Sequence, residues 1–327
     1  MLRRTLRSVA AAGVAFATAL GLAAPDAAKA EYPDKPIYIL VGFAAGGGID
    51  TYARAFAAHS LKTLKIGPVV VNKPGAGSMI AVRALLDARG DGYTLLMQNS
   101  VTMLSRLLTD GAKGEAMLAR MQPIGAVGEL VTALGVPADS PFKTAKDLVE
   151  YAKKNPGKLR WSHPGRGSVH TLAGMLFLKE NGIKAQDVPF KGGAPSRNAL
   201  AGKQVDFSFM GVQLLTGFET KIRALAVAST ARDVVYKDIP TFKELGLPEL
   251  GISAPVALWG SKDLPKPVVE KLRAAVKEAA TQKAYVDMVR KTGLGGFHIP
   301  KDALEERMKL IRAKLGPIIQ EMNVKKK

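Results

Sequence analysis

The sequence predicts an α/β protein with largely parallel sheets arranged in two halves, and three observations lead to that reading. Apolar strand-like runs alternate along the chain with amphipathic helix-like segments, the order that builds parallel sheets flanked by helices. Four of the strand-to-helix junctions are glycine-rich turns, at residues 43–50, 74–78, 165–168 and 191–195. The length, 327 residues, suffices for two domains of ordinary size even after an export segment at 1–30 is removed.

That export segment is the first element. Arg3, Arg4 and Arg7 precede an apolar stretch at 9–24, and Ala28-Lys29-Ala30 offers small residues two apart before Glu31. Together they predict a secretory signal cleaved after Ala30. A membrane anchor needs about 20 uninterrupted apolar residues; this run is shorter, rich in Ala and Gly, and followed by Pro25 and Asp26. The Arg3-Arg4 pair alone is a weak sign of twin-arginine export. The absence of cysteine excludes disulfides and thiolate chemistry, and an exported protein without disulfides suits a bacterial periplasm. A formal charge of +19 ordinarily suggests nucleic acid. Here the basic residues are spread along the chain, aromatic residues make up only 6%, and export removes that partner. The charge is therefore read as long-range attraction of small anions, and residues 325–327 as a solvated tail.

Residues 37–42 form the first strand, and a helix follows around 51–61, where Tyr52, Phe56 and Leu61 fall near one face. A strand at 69–71 leads through Pro74-Gly75-Ala76-Gly77-Ser78 to a helix at 80–88, and Asp91-Gly92 turns the chain into a strand at 93–97 ending at Asn99-Ser100. The strand at 131–136 is read as the crossing between halves. Thr144 opens a helix to Lys154, stopped by Asn155-Pro156-Gly157. A strand at 159–162 runs into Gly165-Arg166-Gly167-Ser168 and a helix to Glu180; one at 188–190 runs into Lys191-Gly192-Gly193-Ala194-Pro195 and a helix to Ala201. Strands at 205–209 and 223–228, a return run at 252–259, and helices at 268–282 and 302–322 complete the chain, the last bent at Pro317.

The glycine turns carry the chemistry. Gly46-Gly47-Gly48 does not satisfy GxGxxG and no GxxxxGK[ST] exists, so nucleotide binding fails on pattern as well as on compartment. What remains is an anion pocket: glycine lets the backbone approach a ligand, and the free N–H groups and dipole at a helix start favour negative charge. A tight turn between packed elements is the competing reading for any single turn. Four at strand ends favour a ligand, because open α/β sheets bind ligands beyond the carboxyl ends of their strands. Asp50 and Asp206 are the carboxylates of interest, each read either as a ligand contact or as a local capping residue. Lys191 and Arg166 sit inside glycine turns; each is either solvated or anion-binding, and the Arg166 fork suits a carboxylate.

Catalysis has less support. Gly165-Arg166-Gly167-Ser168 is not GxSxG, but His163 and His170 flank it, which keeps a periplasmic serine hydrolase using Ser168 or Ser162 as the alternative. The competing reading makes Ser168 a helix N-cap. His59 and His298 are isolated, and His163 and His170 lack metal-ligand spacing, so no metal or cofactor is expected. Met97 and Met103 read as core filler.

Phe43-Ala44-Ala45-Gly46-Gly47-Gly48-Ile49-Asp50 with Ala53-Arg54, then Val71-Asn72-Lys73-Pro74-Gly75-Ala76-Gly77, Asp91-Gly92-Tyr93-Thr94-Leu95-Leu96, Gly167-Ser168, His170 with Leu172-Ala173-Gly174, and Lys191-Gly192-Gly193-Ala194-Pro195 with Leu200-Ala201-Gly202 and Val205-Asp206 form a set of segments. In this order the set resembles the tripartite tricarboxylate transporter substrate-binding receptors, the Bug family. The resemblance implies a non-enzymatic periplasmic binding protein of the Venus-flytrap, type II-like fold, each lobe a mostly parallel sheet flanked by helices. It implies lobe 1 at 31–124 and 252–327 and lobe 2 at 125–251, a small organic carboxylate or dicarboxylate as ligand, a membrane transporter as partner, and a monomer.

By position, the resemblance implies that the backbone at Ala45, Gly46, Gly47 and Gly48 and at Gly165, Arg166, Gly167 and Ser168 holds one carboxylate. It makes Phe43 a wall, lines the pocket with Ser100, Lys191, Gly192 and Gly193, and sets Asp206 near the distal end of the ligand. Asp50 and Ser162 complete the expected binding residues. The chain departs from the family at Ser78-Met79, where relatives continue with Gly-Asn, and at Met210, where many carry an acid. Arg166 and Trp161 suggest a dicarboxylate or an aromatic acid.

Overall fold

The structure, a computed structural model, describes residues 31–324. The predicted signal and its cleavage site lie outside the described residues, as do residues 325–327. Among the described residues, those from Lys35 onward form one compact unit.

Strand β1 (Tyr38–Val41) pairs in parallel with β2 (Val69–Asn72) and with β3 (Thr94–Asn99). Parallel neighbours need crossover connections, which the helices α1 (Gly48–His59), α2 (Leu61–Leu64) and α3 (Met79–Leu86) supply. The apolar stripe of α1 buries Tyr52, Ala53 and Phe56. The chain leaves β3 through α4 (Ser100–Thr109) and α5 (Ala112–Ala119) and enters β4 (Met121–Pro137). At 17 residues and ~3.3 Å per residue, β4 is about 55 Å long. Up to Val131 it pairs antiparallel with β9 (Ser253–Ser261) and β10 (Gly295–Pro300). From Thr132 onward it pairs antiparallel with β7 (Phe207–Gly211) and β8 (Ile222–Val227).

In the second half, β5 (Arg160–His163) pairs in parallel with β6 (Gln186–Pro189) and β7. Helices α6 (Ala145–Lys154), α7 (Val169–Glu180) and α8 (Gly193–Ala201) connect these strands. Thr144 starts α6 through a reciprocal capping box with Asp147, which satisfies two otherwise unpaired helix-start groups. Helices α9 (Lys266–Thr281) and α10 (Lys283–Arg290) return against the first half, and α11 (Lys301–Val324) continues through Pro317. Buried hydroxyls pin α1 and α10 to β4: Tyr52 lies 2.7 Å from the Gly295 carbonyl and 3.0 Å from that of Glu129, and Tyr285 donates to Val127 at 2.8 Å.

The strand order is β2-β1-β3-β9-β4-β7-β5-β6, with β8 and β10 also on β4. Parallel pairing, expected for most of the sheet, holds in the outer triplets. The centre is antiparallel, because the strands that carry the chain across and back lie side by side in opposite directions. One buried apolar cluster, including Leu40, Leu96, Met103 and Trp259, fills the first half, and another, including Ala133, Leu200, Met210 and Ile222, fills the second. No helix among the described residues is long and apolar enough to cross a membrane. The sequence reading omits α2, α4, α5, α10 and β10 and sees only residues 131–136 of β4, toward its carboxyl end.

Candidate ligand-binding site

All four glycine turns follow the carboxyl ends of parallel strands, β1, β2, β5 and β6. In the first, Ala44 to Gly47 are exposed, Gly46 adopts φ +80°, and α1 begins with no side-chain cap. The shape of this turn is held from behind by Asp50. Its buried carboxylate accepts from the Gly46 N–H at 2.8 Å, Arg54 Nε at 2.9 Å and Asn72 Nδ2 at 2.9 Å, and Asn72 Nδ2 also reaches the Phe43 carbonyl at 3.0 Å. Burial by itself would raise the Asp50 carboxyl; the bonds from Arg54, Gly46 and Asn72 outweigh it and hold the group below the usual carboxylate range. Asp50 is thus occupied in ordering the turn. Ser100 is also buried, and its hydroxyl donates to the Pro255 carbonyl at 3.2 Å, tying the start of α4 to β9.

The turn after β5 is organised by His163. This buried imidazole accepts the Gly165 N–H at Nδ1 (3.1 Å) and meets Asp187 Oδ1 at Nε2 (2.5 Å). The acceptor role of Nδ1 assigns the proton to Nε2. The other Asp187 oxygen lies 2.7 Å from the Arg166 guanidinium. Burial pushes the Asp187 carboxyl up, but the hydrogen bond from His163 and then the charge of Arg166 bring it below its ordinary value. Arg166 is 58% exposed at its side chain and already has its counter-ion. Ser168 caps α7 by accepting from Thr171 N at 3.2 Å. The last turn lies alongside: Gly192, φ +124°, donates to the Pro164 carbonyl at 3.1 Å, Gly193 starts α8, and Lys191 is exposed.

Two predicted residues stand elsewhere. Asp206 precedes β7 and accepts from the Arg160 N–H at 2.6 Å, at the starting edge of β5. Because β5 and β7 run in parallel, this is the sheet end opposite the glycine turns, so the expectation that Asp206 meets the distal end of a ligand there is corrected. Ser162 is fully buried in β5, its hydroxyl 3.0 Å from that of Ser208 and 2.9 Å from that of Ser196.

These positions also leave the hydrolase alternative unsupported. The Ser168 hydroxyl is a helix cap, and His163 Nδ1 is taken by a backbone donor. His170 contacts the Thr132 hydroxyl at 2.8 Å, and burial, with His163 adding to it, pushes its imidazole down to about 3. Among the described residues no group of His, Cys, Asp and Glu is arranged to hold a metal ion.

Residues absent from the sequence reading join the halves. The Arg106 side chain, from α4, lies between two glycines: a Cβ on Gly77 would fall 2.8 Å from its Nε, and one on Gly167 would fall 3.1 Å from its Cδ. Gln213, just past β7, brings Nε2 to 3.2 Å from the Cβ position of Gly48. Glycine turns from both halves therefore face one another. Two open surface hollows lie elsewhere, one beside His59 and Glu278 and one beside Tyr38 and Tyr93.

Residues 52–324 match the tripartite tricarboxylate transporter family receptor, TctC. This chain belongs to that family. The receptor is 32% identical over 305 residues to a UPF0065 protein of Cupriavidus necator, covering 89% of each chain, and 31% identical over 284 residues to BugT of Bordetella pertussis, covering 86% of each. Among solved structures it resembles the periplasmic binding protein BugD, with a TM-score of 0.77, 29% identity and coverage of 89% of this chain and 98% of that one. It also resembles MatC of Rhodopseudomonas palustris with bound malate, with a TM-score of 0.73, 26% identity and coverage of 88% and 98%. The receptor has the two-lobed solute-binding fold, and membership of a periplasmic family implies export.

Proposed function

We propose that this receptor captures a small organic carboxylate between the glycine turns of its two lobes and delivers it to a tripartite tricarboxylate-type membrane transporter or sensor. The observation that carries this reading is that turns from both halves meet: Gly77 and Gly167 flank the Arg106 side chain, and the uncapped helix start at Gly48, whose backbone donors suit an anion, lies beside Gln213 of the second half. Such donors recognise a carboxylate without selecting the rest of the acid. Malate in MatC is a ligand of that chemistry.

The lobe boundary expected at 124/125 moves to the point where β4 changes partners, which makes the lobes 31–131 with 252–327, and 132–251; the signal is cleaved after Ala30, and the receptor acts as a monomer. Closure is a hinge motion where β4 changes partners between Val131 and Thr132, beside the return path on which Ala228 N bonds to Thr132 O and Ile252 N to Ala228 O, each at 2.8 Å. Thermal-shift screening against a library of carboxylic acids tests the function: an acid at a thousand times its Kd stabilises the fold by about 4 kcal/mol. A melt that no acid moves would overturn it. Small-angle scattering tests the hinge, and an unchanged radius of gyration with saturating ligand would count against closure.

A further inference from the structure

We propose that Arg106 binds the second carboxylate of the ligand and makes the receptor prefer dicarboxylates; the assignment rests on the carboxylate-receptor reading above. Arg106 is presented by α4, whose start is fixed by Asn99 accepting from Thr102 N at 2.7 Å and by the buried Ser100. Among the described residues its guanidinium makes one bond, Nη2 to the Ala76 carbonyl at 3.3 Å, while Nε is buried with no hydrogen-bond partner. A buried N–H on a cation that lacks an acceptor is costly to maintain, so one flanked by glycine turns of both halves implies an acceptor that arrives with the ligand.

The surroundings specify an anion. Gly77 at φ +61° and Gly167 at φ +79° leave room for the side chain on both sides, and any Cβ at either position would crowd it. Gly167 immediately precedes Ser168, the cap of α7, so the guanidinium stands beside the positive end of a 12-residue helix, an arrangement that repels until negative charge enters. No protein carboxylate supplies that charge among the described residues. Asp187 is held by His163 and Arg166, and Asp50 by Arg54, Asn72 and Gly46. Arg166, the arginine that stands inside a glycine turn, has its counter-ion, whereas Arg106 has none among the described residues.

One carboxylate of the ligand meets the backbone donors of the glycine turns. A second, on the same small acid, meets the Arg106 fork, which matches carboxylate geometry with paired N–H groups. Because Arg106 touches glycines of both halves, this second carboxylate is gripped where the halves meet.

The test is calorimetric titration of wild type, Arg106→Gln and Arg106→Lys with length-matched acids: succinate against butyrate, malate against 3-hydroxybutyrate, and adipate against hexanoate. Wild type binds at least one diacid more tightly than its monoacid partner. Arg106→Gln weakens that diacid about 10- to 100-fold, the range of a charge-assisted hydrogen bond, and leaves the monoacid within about threefold. Arg106→Lys, which keeps the charge and loses the fork, retains part of the preference. An unchanged diacid-to-monoacid ratio in folded Arg106→Gln overturns the assignment while leaving the receptor reading intact. Wild type that binds monoacids as tightly as diacids overturns it as well. Wild type that binds no acid at all removes the receptor reading and this assignment together.

Discussion

Replacing Asp50 by Asn separates a turn-ordering carboxylate from a ligand-binding one. Three donors converge on Asp50: the Gly46 N–H, Arg54 Nε–H and Asn72 Nδ2–H. Asparagine offers one acceptor oxygen, and its own NH2 then confronts a donor. Placing the oxygen toward Gly46 and Arg54 sets two amide NH2 groups against each other at Asn72. Rotating Asn72 to relieve this breaks its bonds to the Phe43 carbonyl and to Arg54. Bonds to charged groups are worth about 1.5–3 kcal/mol each. The Arg54 side chain is 49% exposed and rehydrates, which offsets part of its share. The net loss is about 3 kcal/mol, read from urea unfolding at constant m. The Ala44 to Gly47 backbone loses its tether at the same time, so carboxylate affinity measured by calorimetry falls about tenfold through lost preorganisation. Stability within about 0.5 kcal/mol of wild type, the scatter of an ordinary surface change, would refute the tether. A thousandfold loss of affinity with unchanged stability would instead mean that Asp50 touches the ligand.

Three further outcomes follow from the same geometry. His170 is held neutral down to about pH 3 against about 6.5 when unfolded, so between these values the unfolded chain binds the extra proton and stability falls as pH falls. The loss reaches about 2–3 kcal/mol by pH 4.5, and His170→Gln should shrink the stability difference between pH 7 and pH 4.5 by that amount; an identical difference in both proteins rules this out. Gly174→Ala improves helix propensity by about 1 kcal/mol, but its Cβ would fall 2.3 Å from the buried Trp161 ring, which packs on Phe207 and Phe209 and has no room to retreat. Overpacking costs about 1–3 kcal/mol, so the urea midpoint should drop, and a rise would show that the ring yields. Asp206→Ala removes the acceptor for Arg160 N and should cost about 1 kcal/mol while leaving carboxylate affinity unchanged by calorimetry; a large affinity loss would return Asp206 to the site.

What could be read in advance was local. The glycine turns, the Thr144 cap and the Ser168 cap depend on residues within one helical turn of each other, so their meaning survives in one dimension. The omitted elements lack that punctuation or contradict it. α4 follows β3 without a break because Asn99 ends the strand and caps the helix at once. β10 carries Gly295, Gly296 and Pro300, turn residues that become a strand only because β4 offers them a partner.

The two arginines show the same limit at the site. Arg166 is the better candidate in the sequence, lying in a glycine turn with no acid nearby along the chain. Its counter-ion Asp187 comes from β6, which lies beside β5 only in the folded sheet. Arg106 has no motif around it and sits well inside a helix, yet the fold sets it between Gly77 and Gly167 and delivers no carboxylate to it. Whether a cation is available to a ligand depends on where the carboxylates land, which is decided by strand pairing. A substitution that removes Asp187 tests this directly. Asp187→Asn should free Arg166 for anions and, by loosening His163 and the Gly165 turn it orders, weaken the monoacid site that Arg106→Gln leaves intact. Identical affinity profiles for the two variants would mean that their charges act only through the overall field of a basic protein rather than at separate ends of one ligand.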